Sequence, residues 1–481
     1  MICRLLKFSL FCRIIIIFLQ VVFNFCVPDH DADAFRLPHV PEEGFTNAAV
    51  SFLLSGFSHW DAQYFLHIAL YGYTHENTLA FFPLFPLLLR KASSGISYVT
   101  PSVLSDLNLS ILSGIVLNTI LFVAATVFLY KLTHTVFHSE IIAYTSALLF
   151  SINPASIFFT ALYSESLFSF FTFGGLWALE SGKLVIALIL LSLSAGVRSN
   201  GVLSAGFIIY CLLKQCVNSR AISSHKSSRR TLFLTFNILK IILYLILFSI
   251  PFIAYQTYCY FLYCTDILSE PEVPEVVWDF VTKNDLKIPS EPSKWCFWNI
   301  PLSYFYVQNR YWNVGFLEYF TPKQIPNFLL AFPVLFIIVF SGVKYLNKNW
   351  HELWHLGLLI RQFQDPTDVY SYLRSFPYFI HVLVLSLFST FCIHIQVSTR
   401  MLCSSSPVLY WIAAMTLLPS DERARFKFLK EHLIRPGLAG DLQFMKNLFI
   451  KSSIWGRLIY CYFLSYLLVG TFLHVNFLPW T

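Results

Sequence analysis

The stretch of sequence that decides the fold is FLTFNILKIILYLILFSIPFIAYQTYCYFL, which runs from Phe233 to Leu262 and holds one charged residue, Lys240. A helix needs about 20 apolar residues to cross the hydrocarbon core of a bilayer, and this run is longer than that. Similar runs recur along the chain. They predict eleven membrane spans, at 10–27, 108–130, 140–159, 163–179, 184–198, 201–217, 233–262, 326–345, 376–397, 404–419 and 455–478. The sequence therefore predicts an all-α polytopic membrane protein with a single membrane-embedded domain over residues 1–481.

The composition of the chain supports this prediction. Of its 481 residues, 56% are hydrophobic and only 12% are charged, whereas soluble domains carry about 25% charged residues. The eleven Cys residues show neither a CxxC pair nor a His/Cys spacing typical of a zinc site. There is no Walker loop and no dinucleotide-binding glycine pattern. We therefore expect no metal, no cofactor and no nucleic-acid partner.

Lys and Arg residues in short loops predict the orientation of the chain, because they favour the cytosolic side of a membrane. The N-terminus is placed in the cytosol by three basic residues, Arg4, Lys7 and Arg13. Counting spans from there places the Lys- and Arg-rich loops 218–232 and 420–454 in the cytosol too. The large segments 28–107 and 263–325 then face the opposite side. The first span lacks a small-residue cleavage site, so we expect it to be retained.

The two large non-cytosolic segments carry signals of local structure. In the first, Ala48–Leu54 and Ala62–Leu70 mix apolar and polar residues in the manner of amphipathic helices that lie on a membrane surface. In the second, Cys264 and Cys296 could form a disulfide or remain two free thiols. The rest of that second segment, rich in Pro, Trp and acidic residues, predicts no particular chemistry.

Chemistry is most strongly indicated in HWDAQYFLHIALYGYTHENTLAFFPLFP, from His59 to Pro86. Asp61 and Glu76 are carboxylates close to the predicted bilayer. Asp61 could instead be a helix N-cap, which Asp suits well, and Glu76 could be a solvated loop acid. The run Phe81–Pro86 could hold a polyisoprenyl chain or a sugar against its aromatic rings, or it could be part of an interfacial aromatic belt.

This stretch resembles the first luminal loop of the GPI mannosyltransferase 2 family, through its WD pair, its GY-x-x-E segment and its AFFPL-x-P run. Further matching motifs follow in order across nearly the whole chain, at Asn153–Ser156, Tyr163–Ser169 (YSESLFS), Gly196–Gly201 (GVRSNG), His394–Arg400 (HIQVSTR) and Leu467–Thr481 (LLVGTFLHVNFLPWT). The combination is specific to the family, although each motif alone is weak. The segment 347–375 matches no motif of the family.

The resemblance implies a GT-C glycosyltransferase fold in the endoplasmic reticulum membrane, with a cytosolic N-terminus and a luminal active site. It implies a dolichyl-phosphate-mannose donor and the addition of an α1,6-linked second mannose to a mannosylated glucosaminyl-phosphatidylinositol, among membrane lipids. Three alternatives stay open at this point. They are a mannosyltransferase acting on another lipid-linked acceptor, a transporter or scramblase, and a noncatalytic subunit of a glycosylation complex.

An inverting transfer to an α product needs one base to take the proton of the acceptor hydroxyl. Asp61 suits this role better than Glu76, the second catalytic candidate, because Trp60 beside it can partly desolvate it and raise its basicity. A leaving phosphate needs a cation. Arg198 and Arg400 lie at luminal ends of predicted spans, where they either bind that phosphate or snorkel to lipid headgroups.

Other substrate-binding candidates also have an alternative explanation. Glu165 is a carboxylate at membrane depth, which favours a functional role, although N-capping by Ser164 or pairing with Arg198 would explain it equally well. His394 either faces a polar cavity or is a buried histidine with satisfied hydrogen bonds. The remaining candidates for contacting substrate are His59, Trp60, Phe82, Pro83 and Asn200.

Overall fold

The computed structural model describes residues 1–32, 34–38, 44–99, 104–222, 227–268, 273–289, 291–358, 370, 372–419, 421–433 and 437–480. Within these ranges the chain is helical and contains no strand. The α-helices are α1 Ile2–Cys26, α2 Phe45–Leu54, α3 Ala62–Tyr71, α4 Leu84–Val99, α5 Asp106–Phe137, α6 Glu140–Ser151, α7 Glu165–Glu180, α8 Leu184–Val197, α9 Ala205–Ile222, α10 Ser227–Cys264, α11 Glu275–Lys283, α12 Ser303–Trp312, α13 Ile325–Lys348, α14 Trp350–Leu353, α15 Phe376–Phe391, α16 Ser398–Ser405, α17 Val408–Leu417, α18 Glu422–Leu433, α19 Gly437–Lys451 and α20 Ile454–Val475. Short 3-10 helices lie at Ser55–Ser58, Glu76–Ala80, Ser156–Phe159, Ser199–Ser204, Lys294–Phe297, Pro322–Gln324, Leu373–Ser375 and Ile395–Val397.

Among the described residues, seven helical stretches are long and apolar enough to cross a membrane. They are Ile2–Cys26, Asp106–Phe137, Ser199–Val217, Thr235–Cys264, Pro322–Lys348, Leu373–Phe391 and Ile454–Val475. Each coincides with one of the eleven predicted spans, so the prediction of an all-α polytopic membrane protein is confirmed.

The other four predicted spans, in the ranges 140–159, 163–179, 184–198 and 404–419, coincide with shorter helices. These helices, α6, α7, α8 and α17, have 12, 16, 14 and 10 residues. An α-helix rises about 1.5 Å per residue, so none of them alone covers a hydrocarbon core of roughly 30 Å. The number of eleven spans therefore stays a prediction.

The core of the bundle contains an irregular segment, 152–164, which joins α6 to α7, includes only the short 3-10 helix Ser156–Phe159 and is buried throughout. Backbone groups without a helical partner are costly in an apolar interior unless another group satisfies them. Arg13 of α1 supplies donors, because its guanidinium donates to the carbonyl oxygens of Ser151 and Ser156, each at 2.8 Å. The same guanidinium lies 3.9 Å from the centre of the Phe122 ring. A single buried cation thus connects α1, α5 and the break between α6 and α7.

The second half of the same segment is held by Asn118 of α5. The Asn118 Nδ2 group donates to the carbonyl oxygens of Ala161, at 2.5 Å, and Tyr163, at 3.0 Å. Ser166, in the first turn of α7, donates its hydroxyl to the carbonyl of Phe159. The segment is therefore rigidly placed although it is irregular, and it leads directly into Glu165 at the start of α7.

The position of Arg13 corrects one step of the sequence interpretation. The sequence groups Arg13 with Arg4 and Lys7 as basic residues that mark the cytosolic side, but the Arg13 side chain is fully buried inside the bundle. It donates hydrogen bonds to backbone carbonyls, so it does not indicate on which side of the membrane the N-terminus lies. Arg4 does lie at the end of the bundle, where it pairs with Asp441 of α19 at 3.1 Å. The N-terminus and the 420–454 region therefore share one end, and which side of the membrane that end faces stays a prediction.

The two large segments predicted to be non-cytosolic meet at the other end of α1. A disulfide joins Cys264 at the end of α10 to Cys296, which resolves the alternative of two free thiols. The backbone N–H of His30, just after α1, donates to the carbonyl of Asn476, just after α20. The predicted helices of the first segment both form, but they differ in burial. Helix α2 has no buried residue, whereas α3 is buried along most of its length, because it packs against α4 and α5 instead of lying on a membrane surface.

Some predictions fall on residues outside the described ranges. In the loop 218–232, residues 223–226, which include Lys226, are outside them, and the side chains from 218 to 234 are not described. In the segment 347–375, which matches no family motif, residues 359–369 and 371 are also outside them.

We expect Arg13→Leu to destabilise the protein, because the carbonyls of Ser151 and Ser156 lose their charged donor. A buried polar group left without its partner costs about 1–3 kcal/mol. The matched control is Lys7→Leu, which removes the same charge from the same helix at an exposed position. After heating detergent extracts, size-exclusion chromatography should show that the Arg13 variant aggregates at a lower temperature than wild type or the Lys7 variant. Equal behaviour of both variants would show that Arg13 acts only as a basic N-terminal residue.

Candidate active site

A cavity of about 510 Å³ lies at the end of the bundle where the two large segments meet. Its wall is drawn from segments far apart in sequence. The lining residues include Ala34, Phe35, Trp60, Asp61, Tyr64, Phe81, Phe82, Ser164, Arg198, Ser199, Asn200, Tyr304, Gln308, Tyr311, Trp312, His394, Gln396 and Arg400. Polar, charged and aromatic side chains therefore face one another in a single space, as is typical of a small-molecule site.

Asp61 lies at the N-terminus of α3, but its side chain does not cap that helix. Its carboxylate instead accepts a hydrogen bond from the Arg400 Nη2 group at 2.5 Å. The Asp61 side chain lines the cavity and remains 26% exposed. The N-cap explanation therefore does not account for this carboxylate, which is turned towards the cavity and paired with a cation.

The backbone around Asp61 is held in an unusual conformation. Trp60 has a φ of 58°, in the left-handed region that costs an L-residue about 1–2 kcal/mol. Tyr163 holds this turn, since its hydroxyl accepts from the Asp61 N–H at 3.2 Å and donates to the His59 carbonyl at 3.4 Å. Strained residues that their surroundings hold in place concentrate at functional sites, and this one directly precedes Asp61.

Glu165 joins the two candidate phosphate-binding cations. Its Oε1 atom accepts from the Arg198 Nη1 group and lies 3.6 Å from the Arg400 Nη1 group. The Glu165 side chain has 0% exposure and does not line the cavity. Ser164 makes no capping hydrogen bond to α7, so pairing with Arg198 is the alternative that the structure supports. Glu165 lies beneath the cavity wall and holds the two guanidinium groups next to each other.

Arg400 does not reach out to lipid headgroups. It lies in α16, which packs against α7, α13 and α15, and its side chain is only 8% exposed. The guanidinium carbon lies 5.2 Å from the centre of the Tyr163 ring and 5.4 Å from that of Phe158. Arg198 is 15% exposed and also lines the cavity. Both arginines are thus internal to the site, which argues against the snorkelling alternative.

Glu76 does not line the cavity. It is fully buried and accepts hydrogen bonds from three donors of the second large segment. These donors are the Ser293 hydroxyl, the Trp295 indole N–H at 3.0 Å and the Tyr311 hydroxyl at 2.8 Å. The geometry favours a structural role in which Glu76 ties the first large segment to the second. Through Tyr311, it also holds one side chain of the cavity wall.

The histidines differ in their relation to the cavity. His394 lines it and donates its Nε2–H to the carbonyl of Trp312 at 2.6 Å, so it is both satisfied and at the cavity wall. Burial lowers the pKa of His394 below its usual value, which favours the neutral ring. His59 lies outside the lining and stacks on Phe477 at 3.8 Å. Burial lowers the pKa of His59 to about 4, so its 3.7 Å approach to Asp29 is not an ion pair at neutral pH.

The remaining residues predicted to contact substrate also divide into those that line the cavity and those that lie outside its lining. Trp60, Phe82 and Asn200 line the cavity, and Asn200 donates to the Ser405 hydroxyl at 2.9 Å. Pro83 lies outside the lining, immediately before α4. The structure thus brings Asp61, Trp60, Phe82, Arg198, Asn200, His394 and Arg400 together, and it places Glu165, Glu76, His59 and Pro83 around them.

Sequence reasoning missed the contribution of the second large segment. Helix α12 faces the cavity with Tyr304, Gln308, Tyr311 and Trp312. Gln308, Tyr311 and Trp312 follow Tyr304 by four, seven and eight residues, a spacing typical of one helical face. This spacing was the sequence signal that could have indicated the contribution of α12. Tyr64 was also missed, although it stacks between Phe35 and Phe81 at 4.3 and 4.5 Å.

Among the described residues, no three His, Cys, Asp or Glu side chains are grouped so that they could hold a metal ion. The site presents the side chains of its lining to a substrate. It offers one carboxylate, two guanidinium groups and an aromatic wall around a space large enough for a sugar.

Comparisons with known proteins identify the family. The family model described as "Mannosyltransferase (PIG-V)" matches residues 2–481. "GPI alpha-1,6-mannosyltransferase 2" of Homo sapiens is 37% identical over 99% of this chain and 98% of its own length. "GPI mannosyltransferase 2" of Drosophila pseudoobscura pseudoobscura is 34% identical over 99% of each chain.

A solved structure of the archaeal oligosaccharyltransferase AglB from Archaeoglobus fulgidus, in complex with an inhibitory peptide and a dolichol-phosphate, is 14% identical with a TM-score of 0.39. The likeness covers 97% of this chain and 55% of that one. A likeness this weak supports no further inference. The match to the family model over almost the whole chain and the near full-length relatives confirm the resemblance seen in the motifs, and the chain belongs to the PIG-V family of mannosyltransferases.

Proposed function

We propose that this protein transfers mannose from dolichyl-phosphate-mannose to a mannosylated glucosaminyl-phosphatidylinositol, forming the α1,6 linkage to the second mannose of the GPI precursor. Near full-length relatives named "GPI alpha-1,6-mannosyltransferase 2" support the α1,6 linkage and an acceptor in the GPI pathway. The single observation that carries the mechanism is the pairing of Asp61 with Arg400 at the wall of the cavity.

The transfer requires four linked changes. The acceptor hydroxyl oxygen forms a bond to the anomeric carbon of mannose, and the bond from that carbon to the phosphate oxygen breaks. The bonding electrons leave with dolichyl phosphate, and the hydroxyl proton passes to a base. A phosphate leaving group needs no protonating acid, so one carboxylate is enough. Asp61 is the one carboxylate that lines the cavity among the described residues.

A site with one carboxylate suits a single-displacement mechanism better than a double-displacement mechanism. A double displacement needs a nucleophilic carboxylate in addition to the group that handles the proton. Glu165 is the nearest second candidate, but it is fully buried beneath Arg198 and Arg400 and cannot reach substrate. A single displacement turns a β-linked donor into an α-linked product, which agrees with the α linkage proposed here.

The two arginines suit the leaving phosphate. A guanidinium group offers planar paired donors that match phosphate oxygens, whereas an ammonium group is a point charge. Arg198 and Arg400 line the same cavity and share Glu165 as a counter-ion. Because Glu165 holds them in place before substrate enters, little reorganisation is needed when negative charge develops on the phosphate.

The disulfide supports a luminal active site. Disulfides persist in oxidising compartments such as the lumen of the endoplasmic reticulum. Cys264 and Cys296 belong to the segment that supplies α12 to the cavity wall, so the cavity and the disulfide lie at the same end of the bundle. The basic residues predicted the same orientation. The GT-C fold, which the sequence resemblance implies, stays a prediction.

The proposed acceptor can be tested in cells that lack this protein. They should accumulate a GPI precursor with one mannose, because the next transfer is missing. Labelling with radioactive mannose and separating the lipids by chromatography detects this species, and the wild-type protein should remove it. A block in N-glycan precursors with normal GPI lipids would instead point to another lipid-linked acceptor.

We expect Asp61→Asn to abolish transfer without loss of protein, because an amide keeps the shape of the side chain but cannot take the proton. Loss of a general base costs roughly 10²–10⁴-fold in rate. The measurement is the transfer rate in purified protein at matched levels. The control is Asp106→Asn, which neutralises an exposed carboxylate in the first turn of α5, outside the cavity lining. Near wild-type transfer by the Asp61 variant would refute its role as base.

We expect Arg400→Lys to transfer poorly and Arg400→Ala hardly at all, with the greater loss at low donor concentration. Lysine retains the charge but not the paired donors. Transfer rates are measured against donor concentration, next to Arg374→Lys. Arg374 pairs with Glu180, a contact outside the cavity lining, so this control should leave donor dependence unchanged. Unchanged kinetics in Arg400→Lys would remove the phosphate-binding role.

A further inference from the structure

The two carboxylates bound to Arg400 differ in how firmly they are held. Glu165 is fully buried, lies outside the cavity lining and contacts Arg198 as well. Asp61 lines the cavity, is 26% exposed and has Arg400 as its ionic partner within 4 Å among the described residues. A charge pair that water can reach is weaker than a desolvated one. Asp61 is therefore the counter-ion of Arg400 that an entering anion can replace.

The pair also conflicts with the role of Asp61 as a base. While Asp61 accepts the charge-assisted bond from Arg400, the bonded oxygen is occupied, and a proton taken up there would have to compete with the guanidinium. The same guanidinium is needed at the phosphate, where negative charge develops during transfer. While the Arg400 Nη2 group donates to Asp61, it is not free to donate to the phosphate.

We propose that the donor phosphate displaces Asp61 from Arg400, so that binding of the donor frees the carboxylate that then takes the acceptor proton. This inference rests on the proposed function and adds to it a change of partner at one cation. Arg400 pairs with Asp61 in the free protein and with the phosphate in the donor complex. Glu165 stays bound to Arg198 and Arg400 throughout and keeps the guanidinium from leaving the site.

The charges of the reaction agree with this change of partner. During transfer, Asp61 gains the hydroxyl proton and loses its negative charge, while the phosphate gains the electron pair of the broken bond and becomes more negative. A cation that stayed with Asp61 would stabilise the charge present before reaction. The same cation on the phosphate stabilises the charge that forms, and only the second arrangement accelerates the reaction.

The change of partner predicts an ordered use of substrates. Without donor, the Oδ2 atom of Asp61 is bonded to Arg400, and the guanidinium stabilises the carboxylate in its charged form, which opposes uptake of the acceptor proton. The phosphate enters first, and Asp61 then becomes available to the acceptor in the same cavity. The acceptor therefore meets an available base when the sugar to be transferred is already in place.

The test is equilibrium binding of dolichyl phosphate to purified full-length protein in nanodiscs. In wild type, the phosphate must compete with Asp61 for Arg400. In Asp61→Asn this ionic competitor is gone, so we expect dolichyl phosphate to bind about tenfold more tightly, although the same variant cannot transfer mannose. Arg400→Gln should bind it at least about tenfold more weakly, since the guanidinium is lost.

The double variant Asp61→Asn/Arg400→Gln separates competition from simple repulsion between Asp61 and the phosphate. If the two groups compete for Arg400, removing Asp61 has no effect once Arg400 is absent, and the double variant binds like Arg400→Gln alone. If Asp61 only repels the phosphate, the tightening persists without Arg400. Persistent tightening overturns the proposal.

Two further variants support the comparison. Glu180→Gln removes a carboxylate that pairs with an arginine outside the cavity lining, and it should leave binding of dolichyl phosphate unchanged. Asp61→Ser repeats the test with a smaller side chain if the Asn variant is poorly folded. Unchanged or weaker binding in both Asp61 variants contradicts the change of partner. Absence of dolichyl-phosphate binding in wild type would instead refute the proposed function itself.

Discussion

The structure depends on one buried interaction, in which the guanidinium of Arg13 donates to backbone carbonyls at the break between α6 and α7. An irregular backbone is tolerated inside a membrane protein only where other groups satisfy it. Arg13 from α1 and Asn118 from α5 do so for the segment 152–164. That segment contains Tyr163 and leads into Glu165, the first residue of α7. The turn at Asp61 and the counter-ion of both arginines thus depend on backbone held from the far side of the bundle.

The site built on this support has two cations and two anions in contact. Isolated charges are costly to bury, and they persist when each has a partner. Arg198 and Arg400 neutralise Glu165 and Asp61, so the buried charges of the site are balanced within the protein. In the proposed mechanism, the donor phosphate brings one further negative charge and replaces Asp61 on Arg400. In the proposed mechanism, the charges that stabilise the site also recognise an anionic donor.

Several features were predictable because they depend on local composition. Runs of apolar residues predicted the seven long helices, and the motif around Asp61 predicted a carboxylate in the cavity. For other residues the sequence left the role undecided, because their partners are distant in sequence. Glu76 reads as a loop acid or a catalytic group, yet Ser293, Trp295 and Tyr311 enclose it. Arg13 reads as a loop charge, yet its partners lie more than a hundred residues away.

The sequence by itself determined the class of protein, the family and several residues of the cavity, because hydrophobicity and short motifs are properties of neighbouring residues. Only the tertiary structure decided which charges meet. Asp61 and Arg400 are 339 positions apart, and Glu165, in the first turn of α7, is 33 positions from Arg198, which follows α8. Neither pairing leaves a trace in local spacing. Whether Asp61 caps a helix or faces a cation depends on how α3, α7 and α16 pack, and that packing is a property of the whole bundle.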